Sequence, residues 1–216
     1  GDHRDLHSFP ARRSSDLGAE VDVLVRRFPP ADRPDPESWA SATRQHQADL
    51  LRIQVEALRR RKYRPTGGFA LDRLLDGAPA ISGSLLDHRR VPKPAYGAVA
   101  AACAEMIVVA DPPPLSITPR STLECRVLVV HDGRTPIHHV RVDAVLTVAG
   151  REQARSWGGP IEADSVTLVG TIRHQLGDAT GEVLLDLRVT RTSPPGGPPA
   201  DGRTATNHYR GHIGAG

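Results

Sequence analysis

Two hydrophobic periods divide the chain near Met106. Between Trp39 and Leu58 apolar residues recur every three or four positions. Trp39, Ala42, His46, Leu50, Ile53 and Ala57 form one face, widened by Leu51, Val55 and Leu58. That spacing predicts an amphipathic helix. A proline-rich lead-in precedes it, and Asp35-Pro36-Glu37 supplies its start. Asp35 can cap free N–H groups, Pro36 suits the first helical position, and Glu37 faces the positive end of the dipole. The helix is expected to reach about Lys62. Arg59 to Lys62 then sit in the last turn, where cations complement the carbonyl end. Gly67-Gly68 ends the connection. Phe69 to Leu75 reads as a short buried strand and Asp76 to Ser84 as the loop after it. Pro92 and Pro94 bracket the start of an alanine-rich helix over about 95–104.

Beyond Met106 the period changes to two. IVVAD leads into Pro112-Pro113-Pro114, which reads as a hinge. STLECRVLVVHDG, HHVRVDAVLTVAG, ADSVTLVGTIRHQLGD and TGEVLLDLRVTRT each alternate apolar and polar residues between Gly, Pro and Asp. Val142, Ala144 and Leu146 share a face, while Val145 and Val148 break strict alternation. SPPGGPPADG reads as a loop and TATNHYRGHI as a last strand. Turn-separated strands of this kind predict an antiparallel β-sandwich.

Composition narrows the function classes. The chain has 216 residues and a formal net charge of +3. That near-balance demands neither a nucleic-acid partner nor a membrane surface, and no run reaches the length of a membrane-spanning helix. Aromatic residues are scarce, at 4%, which is low for a sugar-binding surface. Cys103 and Cys125 fit no zinc spacing and read as buried free thiols. His138 and His139 are adjacent on a strand and point to opposite faces, and no Cys or carboxylate completes ligand spacing with His131 or His174. No metal or other cofactor is expected. Residues 2–17, DHRDLHSFPARRSSDL, show no helical or alternating period. They resemble a translated sequencing-adapter read and are expected to add no packed structure.

The middle of the chain resembles a known family. RRRKYRPTGGF, LDGAPAISGSLLD and RRVPKPAYGA follow one another at residues 59–98. In order and spacing they are similar to the end of the catalytic barrel of glycoside hydrolase family 2, in its β-mannosidase-like branch. That branch typically reads RRRKY-x-P-x-GGF, ND-x-WPAISWSVLD and RRPKPAYYA. The resemblance implies an α+β multidomain fragment: the last βα portion of a (β/α)8 barrel over 18–104, then an immunoglobulin-like antiparallel β-sandwich over 105–216. The family's sandwich often ends in an N-x-Y strand such as Asn207-His208-Tyr209.

Members of that family are retaining glycosidases that use two carboxylates. The acid/base follows the fourth barrel strand and the nucleophile the seventh, both upstream of the helix at 36–62. Glu20, in GAEVDV, does not match the nucleophile's S-E-F-G block, so no residue is assigned a catalytic role. The loop after the eighth strand departs from the pattern. Leu75 replaces an Asn, and Ala78 and Gly83 stand where tryptophans form the sugar floor. Asp72, Arg73 and Asp76 remain as candidate substrate-binding residues. The expected partner is carbohydrate, engaged through a complete parent enzyme that cleaves β-mannosides or related β-glycosides, with the fragment itself inactive. The rival expectation is a non-catalytic scaffold or carbohydrate-interaction module. Compartment and oligomeric state are open.

Overall fold

A computed structural model describes residues 23–79, 82–193 and 201–214. The adapter-like segment, Glu20, Ala80, Ile81 and most of the 193–202 loop lie outside them. The chain divides into two compact units: residues 1–52 with 71–99, and residues 53–70 with 100–216. Helix α1, Pro36–Arg59, contributes its beginning to the first and its end to the second. Among the described residues no helix is long and apolar enough to cross a membrane.

In the first unit α1 starts as its sequence dictates. Ser38 donates its backbone N–H to Asp35 Oδ1 at 2.7 Å, with Pro36 at the first helical position. Helix α2, Pro94–Ala102, begins at a proline for the same reason. The small core here is Ala48, Leu85, Ala95 and Val99, with Leu51 and Ala98 packed against it. The expected strand at 69–75 is absent. Residues 67–74 have no strand geometry, and Leu75 alone bridges Leu86. A parallel-sheet strand needs hydrogen-bonded neighbours along its edges. Here Phe69, Leu71 and Leu74 are exposed instead.

The second unit is mostly sheet. Strands β1 (Met106–Ala110), β3 (Thr122–His131) and β6 (Ser165–Gln175) form a three-stranded sheet in the order β1-β3-β6. Strands β2 (Ser116–Ile117), β8 (Thr204–Ile213), β7 (Gly181–Arg191), β4 (Ile137–Val148) and β5 (Arg151–Ile161) form a second, in that order. All pairs are antiparallel except β2 with β8, which is parallel. One apolar core lies between the sheets. Val108, Leu123, Cys125, Val127 and Val129 enter it from one side, and Val142, Leu146, Leu185 and Val189 from the other. Val140 and Val148 extend the inward face of β4, so Val148 continues the alternation it was expected to break. Strand β1 is buried along its whole length, because Ile107 and Val109 pack on the sheet's other side with Val130.

Strand β5 is largely exposed and rich in Arg, Gln and Glu, so it carries no apolar period. At its middle Trp157 lies over Gly170 of β6. A Cβ at position 170 would come within 2.1 Å of the indole. Gly170→Ala must therefore displace Trp157, and we expect it to lower stability by about 1–3 kcal/mol. Thermal unfolding followed by tryptophan fluorescence reads both effects; an unchanged melting temperature would show that the indole moves without cost.

Candidate functional site

In the first unit the described residues between Leu75 and Asp87 surround a buried ion pair. Asp76 and Lys93 are both almost fully buried, with Nζ to Oδ2 at 2.8 Å. Ser82 donates its hydroxyl to Asp76 Oδ1. Lys93 also donates to Ser84 Oγ at 2.8 Å, and Ser84 passes a hydrogen bond to the Leu86 carbonyl at 2.9 Å. The backbone closes the same loop: Leu86 N–H donates to Leu74, Asp76 N–H to Leu86 and Lys93 N–H to Leu85. Gln47 of α1 donates its side-chain amide to the Ser84 carbonyl at 3.0 Å. Burial pushes the Asp76 carboxyl up, but the Lys93, Ser82 and Ser84 hydrogen bonds and the Lys93 charge outweigh it and hold the pKa at about 2.

The three sequence candidates are therefore treated unequally. Asp76 has both oxygens engaged inside the loop. Asp72 and Arg73 are exposed. Leu75, Ala78 and Gly83 are exposed too, and nothing lies within 4 Å of where a Gly83 Cβ would be. The loop thus has open space beside Gly83.

The second unit holds a larger polar network, and the sequence reading missed it. Glu56, near the end of α1, is 4% exposed. Tyr209 donates its hydroxyl to Oε2 at 2.7 Å, and Asn207 donates its amide to Oε1 at 2.9 Å. The same Asn207 amide reaches the Val108 carbonyl, and Ala110 N–H donates to the Tyr209 hydroxyl. One turn on, Arg59 pairs with Asp132 at 2.6 Å and donates to the Ala102 carbonyl. Arg60 pairs with Asp111 at 2.6 Å. Lys62 bonds Asp132, Asp164 and the His131 carbonyl. The basic run does not simply complement the helix end; it meets three carboxylates of the sheet unit. Asp164 is held below the usual carboxylate range by the Lys62 and Tyr63 hydrogen bonds. For Lys62, burial opposes the charge, but the bonds to Asp132 and Asp164 win and raise its pKa.

The histidines and cysteines settle as follows. His138 and His139 are both exposed, because the register of β4 shifts between Ile137 and Val140. His131 is buried, with Nε2 3.4 Å from Glu105 Oε1, and Arg191 and Arg203 also approach that carboxylate. The His131 hydrogen bond, followed by the arginines, lowers the Glu105 pKa against the effect of burial. Among the described residues no group of three or more His, Cys, Asp or Glu side chains could hold a metal. Cys125 is buried, and loss of water pushes its thiol up to about 11. Cys103 is exposed, contrary to expectation: it follows the end of α2, beyond the buried Ala102.

Two consequences are measurable. A depressed carboxylate stabilises the fold above its unfolded pKa and loses that stabilisation as pH falls through its folded value. For Asp76 the window runs from its ordinary 3.8 down to about 2, and the effect is on the order of 2 kcal/mol. Lys93→Met strands the carboxylate in a buried site and should cost about 3–5 kcal/mol at neutral pH. Urea unfolding at pH 7 and pH 3 checks both, and equal losses at the two pH values would contradict the pairing. Separately, Tyr209→Phe removes a hydroxyl bonded to Glu56 and the Ala110 amide. A loss of about 1–3 kcal/mol is expected by thermal unfolding, and a loss under a few tenths would mean the network is incidental.

No protein-family model and no curated protein matches the sequence. Solved structures do match by fold. A β-D-mannosidase from Dictyoglomus thermophilum aligns at TM-score 0.63 and 17% identity, over 82% of this chain and 20% of that one. The exo-chitosanase of Amycolatopsis orientalis, in complex with PNP-β-D-glucosamine, aligns at TM-score 0.68 and 15% identity, over 92% of this chain and 22% of that one. The chain spans about a fifth of the length of these enzymes. In fold it is a mixed α+β chain, mostly sheet, that matches a segment of two glycosidases.

Proposed function

We propose that this chain is the C-terminal part of a retaining glycoside hydrolase of family 2, in its β-mannosidase-like branch, and is inactive by itself. The observation that carries the reading is a coincidence of two kinds of match. The chain aligns with glycosidase folds over most of its length, and the RRRKY, GGF and KPAY blocks occur in the family's order. On this reading residues 18–104 are the end of a (β/α)8 barrel. The exposed Leu50, Leu71 and Leu74 would then meet the rest of that barrel. Residues 105–216 are an immunoglobulin-like sandwich; its first strand is divided, β1 pairing with β3 in one sheet and β2 with β8 in the other.

The reading places the two catalytic glutamates upstream of this sequence. Asp72 and Arg73 become the exposed polar groups beside the sugar. Asp76 serves substrate binding through the loop it anchors with Lys93. The partner is carbohydrate, through the parent enzyme, with no role for nucleic acid, a membrane or a cofactor. The alternative is a non-catalytic scaffold or carbohydrate-interaction module. Exposed Leu75, Ala78 and Gly83 favour it, since an indole lost from a sugar floor removes about 1 kcal/mol or more of stacking.

The purified chain should not hydrolyse aryl β-mannosides or β-glucosides above background, because a retaining site needs two carboxylates about 5–5.5 Å apart. Turnover that vanishes on mutating an acidic residue of this chain would overturn the proposal. Upstream coding sequence with both glutamates would favour the enzyme; its absence would favour the scaffold.

A further inference from the structure

The turn after α1 and the sheet unit enclose a cleft of about 350 Å³. Its walls have an unusual make-up. Tyr63 is 64% exposed, yet its ring is not loose. Its hydroxyl donates to Asp164 Oδ2 at 2.9 Å, and its backbone N–H donates to the Thr66 carbonyl at 2.6 Å. Its φ of 63° is the left-handed conformation that side chains of this size rarely adopt. A large aromatic face is thus held out to solvent at both ends. Phe69 adds a second exposed ring, and Gly67-Gly68 between them leaves the approach open.

The polar groups of the cleft are sorted by sign. Its cations are sequestered: Arg59 and Lys62 are nearly buried and spend their donors on Asp132, Asp164 and backbone carbonyls. Its anions are accessible: Asp132 and Asp164 are about half exposed. A carboxylate has roughly four acceptor sites, so both keep acceptor capacity beyond these bonds. The formal charges of the four groups cancel. Lys62 already lies 5.9 Å from the centre of the Tyr63 ring, which disfavours a second cation on that face. An anion would face both carboxylates at the opening. What fits is a neutral ring with apolar C–H faces and several hydroxyl donors.

We propose that this cleft binds a neutral saccharide, with one sugar ring lying against Tyr63 and Phe69 and its hydroxyls donating to Asp132 and Asp164. The interaction needs no bond-breaking step, so its failure leaves the glycosidase reading intact, and failure of that reading leaves the cleft as it is. Cys103 lines the same cleft and is exposed, whereas Cys125 is buried, so a thiol reagent reports on the cleft alone.

The test follows the rate of Cys103 modification by Ellman's reagent in the full chain, with methyl β-D-mannopyranoside or mannobiose added. Choline chloride and sodium phosphate serve as cationic and anionic probes. Saccharide should slow the reaction at least about fivefold with a millimolar midpoint, while choline and phosphate leave it unchanged. Phe69→Ala removes an exposed ring and should abolish protection without lowering the melting temperature; Asp164→Asn should weaken it. No protection by either saccharide, protection by choline or phosphate instead, or protection that survives in Phe69→Ala overturns the proposal.

Discussion

A carboxylate removed from water is what the sheet unit is organised around. Glu56 is buried near the end of α1, and an unpaired buried charge there would be costly. Tyr209 and Asn207 on β8 answer it, and their remaining bonds reach the backbone of β1 at Val108 and Ala110. One side chain thereby fixes the end of a helix, the last strand and the first strand together. Arg59, Arg60 and Lys62 repeat the pattern one turn later with Asp132, Asp111 and Asp164. Ionic contacts of this kind are specific in geometry where apolar ones are not, so the end of the helix has one register against its partners.

This explains what was legible in the sequence. The cap at Asp35 and the proline start of α2 are local events, and the residues that cause them are adjacent in the chain. The alternating strands were legible because one face of each meets the core. The helix face was misread: Leu50 and Leu58 are exposed while Glu56 and Arg59 are buried. Hydrophobic period finds a buried stripe only when that stripe is apolar. Here the stripe turns ionic halfway along, and its partners are up to 153 positions away.

Strand β5 was invisible for the opposite reason. It is an edge strand with polar residues on both sides, so its pairing to β4 leaves no period to detect. The strand expected at 69–75 has the composition without the neighbours. Apolar content alone does not make a parallel strand, because the hydrogen bonds must come from adjacent segments. Of the three site candidates, only Asp76 proved to be built into its surroundings. Its partner Lys93 was hidden in the KPAY block, read as a helix start rather than as a charge.

The strand order also determines how the sheets meet neighbouring molecules. Open edges are where a sandwich can recruit another chain by strand addition. In the three-stranded sheet one of the two edge strands, β1, is buried on every residue. In the five-stranded sheet one edge is the two-residue β2, and Pro113 and Pro114 crowd Gly211 of β8 beside it, so part of that edge is lined by residues without N–H donors. The other edge is β5, where Arg151, Glu152 and Arg155 place charge along the exposed strand. Three of the four sheet edges are thus covered, shortened or charged, which guards them against strand addition.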